Sequence, residues 1–396
     1  MTNALLINAG TAVLSIFLAI LILLAMITIH EFGHFITGRI LGFKINEFAI
    51  GFGPAIFKRV NKKSGVLFSI RAFPLGGYCA FAGEDGTEEE QKPVEVFDDG
   101  NLKQEAEPDT KEFQVVPEGK NFTEQAPWKR IIVLVSGALM NYLLALLLIT
   151  VGFFAFGQPS YKIKSVAPSE EYSKQYSFVG GDVILKANGT TVLLATDLMS
   201  ALNGKSAGDI VGFTVLRGGR EESVEIALRA DCDFKNSSEV SKIWRALGAG
   251  TQEREDGLYW DVSAENIRLG FFQTIGRSFG YSFRMAGSIF KVLGELLTGN
   301  LGLNAMGGPV TTIRVTGEMA VQGAESFLQV AAYIGVNLAV FNLLPIPALD
   351  GSKVIFCLIE WIFKKPVPRK VEAIIHAVGF VFLIGFAILV DVLQFV

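Results

Sequence analysis

Residues 4–29 carry no charged side chain, and residues 131–156, 327–344 and 371–393 form three further runs in which apolar residues dominate. About 20 consecutive apolar residues cross a hydrocarbon core as a helix, so the pattern predicts four transmembrane helices. The third run ends in the proline-broken stretch NLLPIPALDG, residues 342–351, because proline lacks a backbone donor and clashes with the preceding turn. Between the first two runs the period changes. Residues 44–82 alternate apolar positions with the turn signals GFGP (51–54) and FPLGGY (73–78), which predicts short strands in a small sheet against the membrane face. Residues 84–124 are polar, acidic in blocks and without an apolar period, as in a flexible insertion. After the second run, Val/Ile-rich segments such as 161–166 and 210–216 are separated by Gly180-Gly181, Asn188-Gly189 and Gly218-Gly219; this reads as a compact β-rich module. Residues 267–297 place apolar and aromatic side chains at helical spacing with Arg277, Arg284 and Lys291 interspersed, either a helix lying on the membrane surface or one packed on the β module.

The resulting segments are 1–83 (first span and β region), 84–127 (acidic insertion), 128–157 (second span), 158–266 (β module), 267–323 (amphipathic helix and connector) and 324–396 (third and fourth spans). The fold class is an α-helical polytopic membrane protein with a membrane-associated β-sheet and an outer β-rich domain. Composition agrees: 50% of residues are hydrophobic and 19% charged, against about 25% charged in soluble chains. A net charge of -4 and the lack of a basic motif exclude nucleic-acid binding. A secretory signal peptide needs a basic n-region, and the first Lys or Arg is Arg39, so the first run reads as a retained span. Cys79, Cys232 and Cys357 are too scattered for a disulfide framework or a CxxC zinc site. Arg39, Lys44, Lys58, Arg59, Lys62, Lys63, Lys129 and Arg130 lie between spans one and two, and Lys364, Lys365, Arg369 and Lys370 between spans three and four. Both loops are therefore expected to be cytoplasmic, with both termini and residues 158–323 outside.

His30, Glu31, Phe32, Gly33 and His34 spell HExxH. On a helix, residues i and i+4 share a face one turn apart, so His30 and His34 can offer two imidazoles to one tetrahedral zinc. Glu31 projects from an adjacent position and can reach a zinc-bound water without ligating the metal, which suits a general base for peptide hydrolysis. The chain has three histidines, and two stand here, after an apolar run where ionisable side chains are costly and functional. A catalytic zinc needs a third protein ligand and an open position. Asp350 is the leading candidate, placed beside the broken end of span three and on the membrane side of His34 by the charge rule. Pro345 and Pro347 free backbone groups that protein or a water-filled cavity must satisfy. His376 is the rival, a lone ionisable side chain in span four. It lies about a turn and a half inside that span, at roughly 1.5 Å per residue, where it can instead donate to a carbonyl of a neighbouring helix.

With these residues the chain resembles the bacterial site-2 proteases, intramembrane zinc metalloproteases of the regulator of sigma-E protease type with one extracytoplasmic PDZ domain. The resemblance is carried by HEFGH (30–34), FPLGGY (73–78), SGALMN (136–141), GGP (307–309) and NLLPIPALDG (342–351), and covers nearly the whole chain apart from the acidic insertion. It implies that His30, His34 and Asp350 bind Zn2+, that Glu31 is the catalyst, and that Asn342 holds the substrate backbone or stabilises the oxyanion. Two positions depart from the family pattern: Ser352 replaces the second glycine of LDGG, and Ala138 stands where proline is usual in the second membrane motif. FVGGDVI (178–184) and Asn188-Gly189 resemble a bacterial PDZ signature, implying a module that captures a peptide terminus by strand addition or a plug that excludes large ectodomains.

The expected activity is zinc-dependent hydrolysis of a peptide bond in single-span membrane proteins, such as anti-sigma factors or signal-peptide remnants, after a first cleavage has shortened the ectodomain. The expected location is the bacterial cytoplasmic (inner) membrane, crossed several times, with the lipid bilayer as partner and the PDZ-like module outside. A helical target must be unwound before its carbonyl is reachable, and an edge strand from residues 44–82 can replace the lost hydrogen bonds by β-augmentation. Two other classes compete: a membrane scaffold built round the PDZ-like module, and a metal carrier using the same ligands. Glu31 argues against both, since a site that only binds zinc needs no unliganded general base.

Overall fold

Leucine and alanine lose little side-chain freedom in a helix, and their long runs build the helices of this chain. The computed structural model describes residues 2–84, 94–96, 113–115, 117–168, 176–236, 239–254, 257–303 and 306–395. They divide into two units, Met1–Ala145 with Gly307–Val396, and Leu146–Met306. In the first unit α1 (Thr2–Ile40) runs unbroken through HExxH, which lies about two turns before the helix's end.

The strands β1 (Ile45–Val60) and β2 (Leu67–Phe81) follow. GFGP and FPLGGY, expected at turns between short strands, lie within these two long strands instead. The reversal is at Asn61, whose Oδ1 accepts from the backbone N–H of Lys63 (2.9 Å) and Ser64 (3.3 Å). Gly51 (φ 88°) and Gly53 (φ 83°) bend β1, which curls until Ile50 faces both Gly77 and Ile70 of β2. A Cβ on Gly51 would stand 2.7 Å from the Phe73 carbonyl oxygen, so only glycine fits there. The curl is pinned by Glu47: Oε1 accepts from Ser69 Oγ (2.5 Å) and Arg71 Nη2 (2.7 Å), and Oε2 from Tyr78 (2.7 Å).

Within the acidic segment β3 (Val94–Val96) pairs antiparallel with β4 (Phe113–Val115); residues 85–93, 97–112 and 116 of the expected insertion lie outside the described residues. The end of that segment is not a loose loop. Phe122 is buried, 5.5 Å from Phe43 and 5.6 Å from Phe81 between ring centroids. Helix α2 (Pro127–Phe156) then opens on a proline, where the missing N–H has no intrahelical partner to lose.

The second unit holds a sheet of β5 (Gln158–Ile163), β6 (Val183–Ala187), β7 (Thr190–Thr191), β8 (Ile210–Arg217), β9 (Arg220–Ala227) and β12 (Val262–Ile267), ordered β12-β5-β6-β8-β9 with β7 paired to β6. A separate hairpin joins β10 (Thr251–Arg254) to β11 (Gly257–Trp260), and α3 (Ala195–Leu202) and α4 (Val240–Ala246) complete the core around Ile163, Ile184, Leu198, Val215, Ile226 and Ile243. The GGD signature has a physical role here: buried Asp182 accepts from Val179 N–H (2.9 Å) and pairs with Arg217 (2.7 and 2.8 Å). Helix α5 (Phe271–Leu297) belongs to this unit, and one of its faces packs on the β module. It turns Thr274, Ser278, Ser282, Met285 and Ile289 inward, and Arg284 pairs with Asp197 (2.6 Å). Phe272, Phe279, Phe283 and Phe290 stay exposed.

Residues 267–323, expected as an amphipathic helix and connecting segment, are divided between the units at Gly307, and α6 (Pro309–Ala320) belongs to the first unit. A Cβ on Gly317 would lie 2.5 Å from Ser15 O of α1, so α6 and α1 touch backbone to backbone. Helices α7 (Ala324–Leu343), α8 (Asp350–Phe363) and α9 (Arg369–Phe395) follow. Asp391 of α9 caps α6 from outside, accepting from Val310 N–H (2.9 Å) and Thr311 N–H (3.1 Å); a Cβ on Gly308 would strike its Cγ at 2.4 Å, which explains the small residues of GGP. Among the described residues four stretches are long and apolar enough to cross a membrane: Gly10–Ile40, Pro127–Phe156, Ala324–Leu343 and Arg369–Gln394.

The Glu47 network predicts how the β1–β2 hairpin responds to acid. Burial would raise the Glu47 pKa, but hydrogen bonds from Ser69, Arg71 and Tyr78 hold it below the usual glutamate range. A lowered folded pKa stabilises above the unfolded value and loses that contribution as pH falls through the folded one. Protease nicking of the hairpin should therefore increase on acidification in the parent chain. Glu47→Gln should be weaker by about 1–3 kcal/mol near neutrality and should show little further change in acid.

Candidate metal centre

Three elements bring the polar residues together. His30 and His34, four apart on α1, are both 7% exposed. His30 Nε2 lies 2.9 Å and His34 Nε2 3.3 Å from Asp350 Oδ2, and the two Nε2 atoms are 3.1 Å apart. One ligand atom from each residue falls within 4.8 Å of the others. The Val133 carbonyl of α2 stands 2.8 Å from His34 Nδ1, which puts the proton on Nδ1 and turns the Nε2 lone pair toward Asp350. Two imidazole nitrogens and a carboxylate converging on one point form a nitrogen and oxygen donor set suited to a divalent metal ion.

Asp350 is at this point because the chain breaks before it. Leu344, preceding Pro345, is extended, Ala348 adopts φ 75°, and Asp350 opens α8. The Gly351 position admits no side chain: a Cβ would lie 2.2 Å from Leu344 O. Ser352, the departure from LDGG, is buried with its hydroxyl donating to Leu349 O (2.7 Å), and Ala138 is fully buried.

Glu31 lies within electrostatic range of His30, His34 and Asp350, and its carboxylate takes a hydrogen bond from the backbone of Cys79 in β2. That strand passes close: a Cβ on Gly77 would meet Glu31 Cγ at 3.6 Å and Ala49 O at 2.9 Å. The Asn342 carboxamide nitrogen is 3.5 Å from His30 Nδ1. His376 is not part of the group. Its Nδ1 accepts from the Ala348 backbone N–H at 3.0 Å, so the third histidine satisfies the broken segment, as acceptor rather than the donor expected from its depth in the span.

Sequence reasoning missed the residues that make room. A Cβ on Gly137 of α2 would stand 2.5 Å from His34 Nε2 and 2.7 Å from His30 Cε1; one on Gly33 would stand 2.4 Å from Ser136 O. These glycines let α1 and α2 approach closely enough for the Val133 carbonyl to reach His34. The SGALMN motif held the signal, but its glycine could be interpreted only once the facing ring was known.

Comparison with known proteins gives the family. Residues 18–386 match the pattern of peptidase family M50. The chain is 28% identical over 419 residues to the zinc metalloprotease RasP of Bacillus licheniformis, covering 92% of this chain and 94% of that one. It is 31% identical over 389 residues to a protein of a Nostoc species that carries the name zinc metalloprotease, covering 95% and 94%. A Clostridium perfringens protein with the same designation is 29% identical over 378 residues, covering 95% and 97%.

Gly137→Ala should push the imidazoles off their common point while α2 stays helical. Chelator competition on the purified variant should show zinc held about 10-fold or more weakly, with unchanged helical circular dichroism. Undiminished zinc retention would contradict the close approach.

Proposed function

The chain belongs to peptidase family M50, and from that premise we propose that this multi-pass zinc metallopeptidase cuts single-span membrane proteins within the bilayer, using His30, His34 and Asp350 as zinc ligands. The convergence of those three side chains from α1 and α8 carries the reading. Zinc bound there supplies Lewis acidity, polarising the scissile carbonyl and lowering the pKa of a bound water from 15.7 to about 7.

The protein's own groups do the rest. Glu31 accepts the proton of the attacking water and delivers it to the departing amide nitrogen, while the Cys79 N–H holds its carboxylate in place. Val133 O fixes the His34 ring. Asn342, beside His30 Nδ1, orients that ring through its carboxamide and offers its remaining polar atom to the substrate backbone or the developing oxyanion. β2 runs past Glu31, and an extended substrate segment can pair with the curled hairpin, replacing the hydrogen bonds it loses on unwinding. Exposed Phe52, Ile56, Phe57, Ile70 and Phe73 on that hairpin support its lying in lipid.

The basic residues between spans one and two and between spans three and four favour a cytoplasmic position for those two loops and an outer position for the β-rich unit. We place the protein in a bacterial cytoplasmic membrane on that ground. The outer unit serves as a PDZ-like module, by peptide capture or by size exclusion, and the exposed phenylalanines of α5 rest it on the membrane surface. Substrates are then anti-sigma factors or signal-peptide remnants whose ectodomains are already short.

Three variants test the assignment. Glu31→Gln should keep its zinc and lose cleavage by at least about 10²–10⁴-fold. Asp350→Ala should lose both zinc and cleavage. His376→Ala should keep zinc and much of the activity, with a less stable fold because the Ala348 N–H loses its acceptor. Zinc lost from the His376 variant and kept by the Asp350 variant would reverse the assignment.

A further inference from the structure

Helix α2 carries a polar group that the chemistry above does not use. Asn141 is 1% exposed, and among the described residues neither its Oδ1 nor its Nδ2 has a hydrogen-bond partner. In a membrane-spanning bundle such a group is costly unless something small satisfies it. Its position is specific. Residues four apart share a helix face, so Asn141 stands one turn along from Gly137, which abuts the His30 and His34 rings. The point where Gly335 of α7 would carry a Cβ lies 3.2 Å from Met26 Sδ and 3.3 Å from the Asn141 carbonyl oxygen. Met26 is itself one turn before His30 on α1. Asn141 therefore sits where α1, α2 and α7 meet, about 5.4 Å of helix rise further into the bundle than the candidate ligands.

A carboxamide offers a donor and an acceptor. No described side chain matches them, and the burial of Asn141 leaves a polypeptide no path without parting three helices. Water donates, accepts and needs little room. We propose that Asn141 binds a buried water between α1, α2 and α7 and holds it as the supply for hydrolysis at the neighbouring centre. The water's use rests on the hydrolytic reading; its presence does not. Each turnover breaks one peptide C–N bond, forms one C–O bond from water and leaves the two hydrogens on the new amine and acid, so one water must arrive for every cut. Hydrocarbon provides no reservoir, and a site one turn away does.

Radiolytic footprinting of the full chain in lipid nanodiscs, in water enriched in oxygen-18, tests this directly, because water activated in place oxidises a methionine beside it to the sulfoxide. Met26 and Met199 are each 2% exposed, and Met199 lies in the apolar core of the second unit. Met26 should take up label several-fold faster than Met199. Asn141→Leu should bring Met26 down to the Met199 rate and lower kcat with KM unchanged, and Asn141→Ser should restore part of both. Equal labelling of the two methionines in the parent chain would overturn the site, whether or not the leucine variant folds. Label lost with kcat unchanged would overturn the supply role. Cleavage by Glu31→Gln at the parent rate would sink the hydrolytic reading and leave the labelling comparison standing.

Discussion

A hydrocarbon interior offers polar groups neither water nor counterions, so each must be satisfied by protein or by a bound ion. The polar residues of the first unit follow from that constraint. His30 and His34 are buried on a helix whose preceding turns are apolar, and among the described residues their polar neighbours are Asp350, the Val133 carbonyl, Asn342, Glu31 and each other. The same constraint governs the break between α7 and α8. Prolines at 345 and 347 and the left-handed Ala348 leave backbone groups that an unbroken helix would have paired. His376 takes the Ala348 N–H, and Leu349 N–H returns to Ile346 O at 3.1 Å. The break is tolerated because it is closed internally, and it delivers a carboxylate where a continuous helix would have carried it past the imidazoles.

Close approach is the second requirement, and glycine meets it. Gly33 and Gly137 bring α1 against α2, Gly351 brings α8 under Leu344, and Gly317 brings α6 onto α1. In lipid, helices associate through packing and polar contacts more than through apolar burial, so backbone proximity at these points holds the ligand-bearing helices in register. Ion pairs add to it at one end: Lys353 meets Glu84 at 2.7 Å and buried Arg130 meets Glu360 at 2.5 Å, tying α8 to the end of β2 and to α2.

Much of this was legible in the amino-acid sequence, for identifiable reasons. Apolar runs of membrane length are a strong signal, so the second, third and fourth spans were found within four residues of the observed helix ends, whereas the first helix runs eleven residues past its uncharged stretch, through HExxH, to Ile40. HExxH carries its own geometry, since helical spacing alone puts both imidazoles on one face. Asp350 was reachable because two prolines announce a break. Other features needed the third dimension. GFGP and FPLGGY have turn composition, yet their glycines bend long strands around each other, a distinction set by the partners of Ile50 rather than by local propensity. Residues 267–323 read as an amphipathic helix with a connecting segment, but Ser278 and Ser282 turn inward on α5 while Gly317 packs on α1, and helical periodicity does not say which face is covered. His376 looked like a ligand by type; only the positive φ of Ala348 shows what it serves.

The account stands on His30, His34 and Asp350 forming a single zinc site made of nitrogen and oxygen. X-ray absorption at the zinc edge of the purified chain reads that donor set without reference to activity or mutation. It should fit two imidazole nitrogens at about 2.0–2.1 Å and carboxylate or water oxygens at about 2.0–2.2 Å, with no sulfur. A zinc–sulfur shell at about 2.3 Å, placing the metal on Cys79, Cys232 or Cys357, or a fit requiring a third imidazole, would contradict it.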